Sequence, residues 1–273
     1  TLLLILMKIG ITGCGGKMGS ALIKSVLDSD KYELSGCTEV NSHPLLGSKI
    51  GDITNSSKQS DIVISDDPND MFANSEVVID FTSPSATETL TNLGKMHKTN
   101  LIIGTTGHSE KQLSLIEGAS SDIAIVKAMN FSIGVNVLFS LTQQLSRTLD
   151  DDFDIEIIES HHRDKVDSPS GTAIELGNLA AGAKSRQLSD VAKFNREGIG
   201  KPRKRGEIGF ASIRGGDIVG EHKVVFAGMA ERIELGHIAT SRELFCAGAL
   251  LAASWSKNKT KGLFDMLDVL GFK

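Results

Sequence analysis

The chain has 273 residues, which is enough for one large domain or two of ordinary size. Hydrophobic residues make up 40% and charged residues 23%, proportions typical of globular enzymes. The formal net charge of -5 argues against nucleic acid as the main partner.

The first eleven residues, Thr1 to Ile11, are almost all apolar. No basic segment precedes this run and no small-residue cleavage site follows it, so we expect neither a signal peptide nor a membrane partner. We interpret residues 7–11 as a buried strand and residues 1–6 as an upstream extension. Cys14, Cys37 and Cys246 show no metal-ligand spacing, which predicts reduced thiols in a cytoplasmic protein.

The first half alternates β-branched runs with segments of helical periodicity. Strands are predicted at 8–12, 33–39, 77–81, 101–104 and 123–127, and helices at 18–27, 86–97 and 110–120. Such alternation predicts the α/β class: a doubly wound parallel sheet of the Rossmann type, with helices on both faces.

The pattern changes after residue 133. A helix is predicted at 134–149, a strand with one wet face at 153–157, a helix at 172–184, and strands at 208–213, 217–226 and 231–239. We interpret residues 133–241 as a second, α+β domain built on a mixed sheet. A last helix at 242–255 returns the chain to the first domain, which thus comprises 1–132 and 242–273.

A glycine-rich loop, Gly13–Gly19, follows the first strand and opens the first helix. Gly13 would permit a tight turn, Gly15 and Gly16 a close approach to a pyrophosphate, and Gly19 close packing of helix on strand. The spacing differs from GxGxxG because Gly19 comes one residue late. The strand–loop–helix context nevertheless favours dinucleotide binding over a plain turn.

An acidic residue, Glu39, ends the second predicted strand 20 residues after Gly19. A carboxylate there can accept a hydrogen bond from a ribose hydroxyl. Val40 follows, so no arginine is present at that position to hold a 2′-phosphate. We therefore expect NADH to be used at least as well as NADPH, with Lys17 compensating in part.

Polar segments follow three more predicted strands, at 80–84, 104–107 and 128–132. In a doubly wound sheet the loops at the carboxyl ends of the strands line the ligand crevice. Ordinary turn chemistry is the alternative interpretation for each of them.

The most informative segment is Glu-Ser-His-His-Arg-Asp-Lys-Val-Asp-Ser-Pro-Ser-Gly-Thr at 159–172. It places His161, His162, Arg163 and Lys165 within five residues, directly before a helix N-terminus. Cationic side chains beside helix N–H groups favour an anionic ligand, and His and Lys can transfer protons. Hydride transfer to an unsaturated substrate creates negative charge that such a site could protonate.

Other interpretations of the basic segment remain open. A metal site is one alternative, but no third Cys, His or carboxylate lies at a spacing familiar from metal sites. A solvated basic loop without a catalytic role is another. Ser168 and Ser170 are candidate nucleophiles, but the acidic and basic residues are not spaced as in a serine catalytic triad. A second basic stretch, 196–206, is interpreted as a solvated loop.

Together these motifs resemble the dihydrodipicolinate reductase family, over residues 8–272. The resemblance is carried by Gly-Cys-Gly-Gly-Lys-Met-Gly at 13–19, Asp-Phe-Thr at 80–82, Gly-Thr-Thr-Gly at 104–107, Asn-Phe-Ser at 130–132, the run at 159–173 and Gly-Leu-Phe-Asp-Met at 262–266. It implies reduction of hydroxy-tetrahydrodipicolinate to tetrahydrodipicolinate by NADH or NADPH, in the lysine and diaminopimelate pathway. It also implies that the domain at 133–241 binds the substrate and that its sheet forms a homotetramer.

The resemblance also implies roles for individual residues. His161 resembles the family's proton donor and acceptor and Lys165 its proton donor, while His162, Gly171 and Thr172 resemble substrate contacts. The implied cofactor contacts are Gly13, Cys14, Gly15, Gly16, Lys17, Met18, Glu39, Gly104, Thr105, Thr106, Ala128, Met129, Asn130 and Phe131. No metal is implied.

Two rival functions stay open on the residues alone. One is another small-substrate dehydrogenase, such as one acting on an amino-acid semialdehyde. The other is a non-catalytic nucleotide sensor, which would not need His161 and Lys165 beside Gly171 and Thr172. Because cofactor and basic residues lie in different predicted domains, we expect domain closure during catalysis.

Overall fold

The computed structural model describes residues 6–54, 56, 58–59 and 61–273. The predicted upstream extension therefore lies outside the described residues, except for Leu6. The chain divides into two compact units. The first comprises the chain up to Phe131 together with Glu243–Lys273, and the second is Ser132–Arg242.

The elements are numbered in chain order. The strands are β1 (Met7–Thr12), β2 (Tyr32–Thr38), β3 (Val77–Asp80), β4 (Asn100–Ile103), β5 (Ala124–Lys127), β6 (Asp154–His161), β7 (Ala192–Lys193), β8 (Ile208–Arg214), β9 (Gly220–Ala227), β10 (Arg232–Ala239) and β11 (Gly262–Phe264). The helices are α1 (Lys17–Leu27), α2 (Ile50–Thr54), α3 (Asn69–Asn74), α4 (Thr87–His97), α5 (Glu110–Ser120), α6 (Ile133–Thr148), α7 (Gly171–Gly182), α8 (Leu188–Val191), α9 (Glu243–Ser256) and α10 (Met266–Val269).

The first unit is built on a six-stranded sheet in the order β11-β5-β4-β3-β1-β2, and every pairing is parallel. Its central strands are buried on both faces, as the four buried residues of Val77–Asp80 show. The predicted Rossmann-type parallel sheet is therefore confirmed. The strand order reverses at β1, because β2 lies on one side of it and β3 on the other. Such a reversal creates a ligand crevice at the carboxyl end of β1.

The strand β11 was not predicted from the sequence. It has only three residues and pairs in parallel with β5, with Leu263 opposite Ile125. A three-residue edge strand is too short to show a periodic pattern, so only the pairing identifies it.

Helix α1 packs close to the loop that precedes it. A Cβ atom at Gly19 would lie 2.1 Å from the Gly13 carbonyl oxygen, which no side chain can tolerate. The late glycine of the loop thus has the packing role predicted for it.

The second unit is built on a five-stranded sheet in the order β10-β9-β6-β8-β7. The pairs β6–β8 and β7–β8 are parallel, and β6–β9 and β9–β10 are antiparallel, so the predicted mixed sheet is confirmed. Ile155, Ile157, Val224 and Phe226 form its buried core with residues of α6 and α7.

The opposite face of β6 carries the acidic residues Asp154 and Glu156. Arg203 forms ion pairs with both, and Arg196 lies 2.8 Å from a Glu156 carboxylate oxygen. The Arg203 side chain is only 17% exposed. The prediction of a solvated loop at 196–206 is therefore wrong for Arg203, because the carboxylates of the wet face hold it on the sheet, whereas Arg196 stays exposed at 42%.

No helix within the described ranges combines the length and apolar character that crossing a bilayer requires.

Replacement of Gly248 in α9 tests the packing of the first unit. A Cβ atom there would lie 1.7 Å from the Phe131 carbonyl oxygen, so we expect Gly248→Ala to reduce the free energy of unfolding by about 1–3 kcal/mol or more. Gly118→Ala in α5, where nothing lies within 4 Å, is the control and should be neutral or stabilising. Denaturant unfolding followed by the fluorescence of Trp255, the single tryptophan, measures both. Equal stability of the two variants would contradict the packing shown here.

Candidate active site

The glycine loop of the first unit is tied to the end of β2 by a carboxylate. The Gly15 N–H donates to Glu39 at 2.8 Å, and the Val40 N–H donates to the other carboxylate oxygen at 3.1 Å. A Cβ atom at Gly15 would lie 2.4 Å from the His43 ring, so any larger residue would have to displace that ring. Gly16 begins α1 without a side-chain cap. The N–H groups of this helix start are the kind of donors that a pyrophosphate requires, so the loop fits a dinucleotide.

A cleft of about 300 Å³ opens beside the loop at the strand-order switch. The ends of β1, β2 and β3 contribute Thr12, Glu39 and Thr82 to its lining. Among the described residues that line it, Glu39 and Asp66 carry negative charge and none is Lys or Arg. This cleft fits an adenosine ribose with free hydroxyls better than one that carries a 2′-phosphate.

The buried carboxylate of Asp80 joins three strand ends. It accepts hydrogen bonds from the hydroxyls of Thr12 at 3.0 Å, Thr82 at 2.5 Å and Thr105 at 2.8 Å. Asp80 is 3% exposed. The carboxyl edge of β1, β3 and β4 is therefore one hydrogen-bonded rim, which fixes the predicted cofactor residue Thr105.

The other predicted cofactor segments lie at the same edge, after β4 and β5. A Cβ atom at Gly104 would lie 2.2 Å from the Phe81 ring, and Phe81 packs edge-on against Phe131 at 5.4 Å. Ala128 donates its N–H to the Ile103 carbonyl at 3.2 Å, while Met129 is exposed. The structure thus brings the cofactor residues predicted at 13–18, 39, 104–106 and 128–131 to one edge of one sheet.

The basic segment of the second unit runs from the last residue of β6 to the first turn of α7. His161 ends the strand, and Gly171 and Thr172 open the helix. Lys165 lies in the intervening loop, 2.6 Å from an Asp167 carboxylate oxygen. Arg163 is exposed, and its backbone N–H donates to the Gly216 carbonyl at 3.2 Å.

A buried carboxylate, Glu159, lies at the centre of this segment. It accepts hydrogen bonds from both terminal nitrogens of Arg214, at 2.7 and 2.8 Å, and contacts His161 Nδ1 at 2.5 Å. The Ser170 backbone N–H donates to it at 3.3 Å. Glu159 thereby connects β6, β8 and the start of α7.

The charges of this cluster follow from burial and hydrogen bonding. Burial opposes ionisation of Glu159, but hydrogen bonds from Arg214, Ser212 and His161 outweigh it and lower its pKa to about 2. Burial also lowers the pKa of His161; the charges of Lys165 and Arg214 act in the same direction, and Glu159 opposes them. Glu159 is thus ionised at neutral pH, and it lies beside an imidazole whose pKa is lowered.

A second histidine, His222 of β9, lies next to His161. Its Nε2 atom is 2.9 Å from the Ser170 hydroxyl, and the two imidazole rings meet edge-on at 5.1 Å. Ser170 therefore has a histidine partner, 52 residues away, that sequence spacing could not show. Its buried hydroxyl also caps α7 through the Ala173 N–H at 3.2 Å, a structural role that leaves it unsuited to nucleophilic attack.

Sequence reasoning assigned no role to Glu159, Arg214 or His222. One signal for Glu159 was present: it shares the period-two register of Ile155 and Ile157, which places a carboxylate on the core face of the strand. Arg214 and His222 lie on β8 and β9, and only the pairing of these strands with β6 reveals them.

Within the described residues, no group of three or more His, Cys, Asp or Glu side chains is arranged to hold a metal ion. The arrangement instead offers an acid–base pair of His161 and Lys165 beside a helix N-terminus. Such a site can bind a carboxylate and exchange a proton with it or its neighbours.

Comparison with known proteins matches both halves of the chain to one family. The N-terminal model of dihydrodipicolinate reductase covers residues 7–131, and the C-terminal model covers 134–270. The chain belongs to the dihydrodipicolinate reductase family. The resemblance read from the motifs is therefore confirmed.

Relatives of this reductase family extend over nearly the whole chain. The 4-hydroxy-tetrahydrodipicolinate reductase of Ruegeria sp. (strain TM1040) is 49% identical and that of Pelobacter propionicus 44%, covering 96% and 98% of this chain and 97% and 100% of theirs. A solved structure, the dipicolinate-bound dihydrodipicolinate reductase from Paenisporosarcina sp. TG-14, has a TM-score of 0.74 at 23% identity, with 97% of this chain and 99% of that chain covered. That structure supports the fold.

The buried His222 makes stability depend on pH. Burial lowers its pKa from 6.5 to about 4, with a smaller contribution from the charge of His161. Between these values the unfolded chain binds a proton that the folded chain does not, so stability falls as the pH drops from 6.5 toward 4. We expect His222→Gln to remove on the order of 2–3 kcal/mol of that loss.

The measurement is urea unfolding by circular dichroism at several pH values across this window. His97→Gln, in the first unit, is the control for loss of a histidine elsewhere. An unchanged pH slope in His222→Gln would show that His222 is not the group responsible.

Proposed function

We propose that this protein reduces 4-hydroxy-tetrahydrodipicolinate to tetrahydrodipicolinate, with loss of water, in lysine and diaminopimelate biosynthesis. The observation that carries the proposal is the match of both halves of the chain to one family. Its relatives above, at 44–49% identity, are named for that activity.

The coenzyme is NADH or NADPH, held by the first unit. We assign its pyrophosphate to the loop Gly13–Met18, through the N–H groups of Lys17 and Met18 at the start of α1, its adenosine ribose to Glu39, and its nicotinamide end to 104–106 and 128–131. When bound, the reduced nicotinamide supplies a hydride. Asp80 supports this site by accepting hydrogen bonds from the hydroxyls of Thr12, Thr82 and Thr105, which fixes the strand ends.

The substrate is a cyclic dicarboxylate, held by the second unit. We assign one carboxylate to the first turn of α7, at Gly171 and Thr172, where helix N–H groups and the helix dipole favour an anion. His162 supplies a further contact from the loop. The local basic charge explains how a chain of net charge -5 attracts a doubly negative ligand.

The proton required after hydride addition comes from Lys165 and His161. Lys165 provides a compact ammonium donor, and its ion pair with Asp167 holds it within the loop. His161, whose pKa is lowered by burial, offers a basic imidazole nitrogen for proton exchange and lies in the same basic segment. Neither residue requires a metal ion for this chemistry.

The deciding experiment is oxidation of NADH with freshly prepared hydroxy-tetrahydrodipicolinate. Rapid turnover with this compound, and none with an amino-acid semialdehyde, supports the proposal. Turnover with the semialdehyde alone would favour the rival dehydrogenase. Binding of NADH without turnover of either compound would favour a nucleotide sensor.

We also propose that the protein is a cytoplasmic homotetramer. The three cysteines are free, as in reducing compartments. The sheet of the second unit exposes apolar side chains, Ile213 on β8 and Ile238 on β10, at 52% and 67% exposure, which a subunit interface would cover. Light scattering after gel filtration measures the mass, and a monomer would contradict the proposal.

Removal of the Lys165 ammonium should lower the turnover rate and leave the affinity for the coenzyme unchanged. We expect Lys165→Ala to lower kcat by about 100-fold or more, because general acid catalysis is lost, while the Kd for NADH stays within about twofold. Lys201→Ala, at an exposed lysine of the same unit, is the matched control. Steady-state kinetics and fluorescence titration with NADH measure the two quantities. An equal loss of NADH binding would contradict the assignment of Lys165.

Coenzyme choice should follow the charge of the cleft at Glu39. We expect kcat/KM with NADH to be at least equal to that with NADPH, because Glu39 and Asp66 repel a 2′-phosphate. Val40→Arg should raise kcat/KM with NADPH by about tenfold, since a guanidinium binds phosphate well. Val40→Gln, a long side chain without charge, is the control. A hundredfold preference of the native enzyme for NADPH would refute this expectation.

A further inference from the structure

One ionisable side chain of the second unit, Glu159, is buried in the core of the sheet. Glu159 lies on the core face of β6, in register with Ile155 and Ile157, and its side chain is 1% exposed. Burial of an ionised carboxylate is costly unless its oxygens are paired and hydrogen-bonded. The position of Glu159 therefore requires an explanation beyond the packing of the core.

Arg214 provides the compensating charge. Its two terminal nitrogens each donate to a different oxygen of Glu159, at 2.7 and 2.8 Å, and one of them also donates to the Asp167 carbonyl at 2.7 Å. This forked geometry is the strongest form of carboxylate recognition in proteins. Glu159 thus stays ionised at neutral pH, in line with its pKa of about 2.

An ionised carboxylate can only accept a hydrogen bond. The contact of 2.5 Å between Glu159 and His161 Nδ1 therefore requires that Nδ1 carry the hydrogen. In the neutral ring this leaves Nε2 as the basic atom, with its lone pair directed away from Glu159. The hydrogen bonds within the described part of the chain give Nε2 no partner.

Two neighbours keep the imidazole in this orientation. A Cβ atom at Gly220 would lie 3.1 Å from Nε2, so the backbone of β9 packs closely against this side of the ring. The His222 ring lies edge-on to His161 at 5.1 Å and is itself held by Ser170. The ring is thus fixed by packing on one side and by Glu159 on the other.

We propose that Glu159 is the positioning residue of the acid–base site: held ionised by Arg214, it fixes His161 with hydrogen on Nδ1, so that Nε2 exchanges the proton with substrate. The inference rests on the proposed function for the identity of that substrate. The tautomer itself depends only on the geometry of the second unit.

The charged and titratable groups around His161 come from every neighbouring element. Glu159 lies on β6, Arg214 on β8 and His222 on β9, and Lys165 belongs to the following loop. His237 of β10 acts on His222, one ring further away. Of these, only Glu159 favours a protonated His161; the others are cations or become cationic.

The test compares Glu159→Gln with Glu156→Gln. Both residues lie on β6 and both pair with arginine, but Glu156 faces the opposite side of the sheet. In Glu159→Gln the amide oxygen turns toward Arg214, so the amide NH₂ faces Nδ1 and the hydrogen moves to Nε2. We expect a reversed tautomer, and a titration midpoint of His161 lower by about 1 pH unit or more, because the favourable charge is lost.

The measurement is ¹⁵N-histidine NMR of the full chain, with the His161 signals assigned by their loss in His161→Gln. Wild type and Glu156→Gln should show hydrogen on Nδ1 at pH 8. Hydrogen on Nε2 in the wild type would overturn the proposal, even if Glu159→Gln failed to fold. So would an identical tautomer and midpoint in folded wild type and Glu159→Gln.

Kinetics form the second arm. We expect Glu159→Gln to lower kcat by about 10- to 100-fold with little change in the KM for NADH, and Glu159→Asp to restore part of the loss. Equal losses in Glu159→Gln and Glu156→Gln would indicate a structural role and overturn the proposal. If the wild type does not turn over hydroxy-tetrahydrodipicolinate, the proposed function fails, while the NMR result still decides the role of Glu159.

Discussion

The ion pair between Glu159 and Arg214 is the interaction on which the second unit's site depends. A buried anion is tolerated only when its partners are fixed, and these partners come from β8, from the start of α7 and from His161. One carboxylate therefore contacts the start of α7, joins the ends of β6 and β8 through Arg214, and fixes which nitrogen of His161 carries hydrogen. Replacing it would disturb chemistry and architecture together, which is why the opposite-face residue Glu156 is needed as a reference.

The first unit uses a buried carboxylate in a similar way. Asp80 collects hydroxyls from Thr12, Thr82 and Thr105, and so joins the ends of β1, β3 and β4 into one edge. Here the donors are neutral, so the carboxylate shapes a rim without bringing a fixed cation close to a coenzyme phosphate. The difference suits the two proposed tasks, in which backbone N–H groups bind an anionic coenzyme and a cationic segment binds a dicarboxylate substrate.

Much of the fold could be predicted because its signals are local. Continuous apolar runs such as Val77–Asp80 and the glycine loop at 13–19 determine their own conformation, and the parallel sheet follows from their order along the chain. The short strand β11 and the pairing of Arg203 with Asp154 and Glu156 could not be predicted. The first has too few residues to show a period, and the second depends on carboxylates more than 45 residues away.

The sequence by itself determined the family, the alternation that builds each sheet, and which residue types gather at 13–19 and 159–172. These follow from local chain geometry and from chemistry that adjacent residues carry in themselves. Only the tertiary structure decided that Arg214 and His222 join His161, and that Ser170 caps a helix beside a histidine. Strand pairing and the packing of α7 on the sheet bring together residues 52 to 55 positions apart, and no local pattern encodes such a contact.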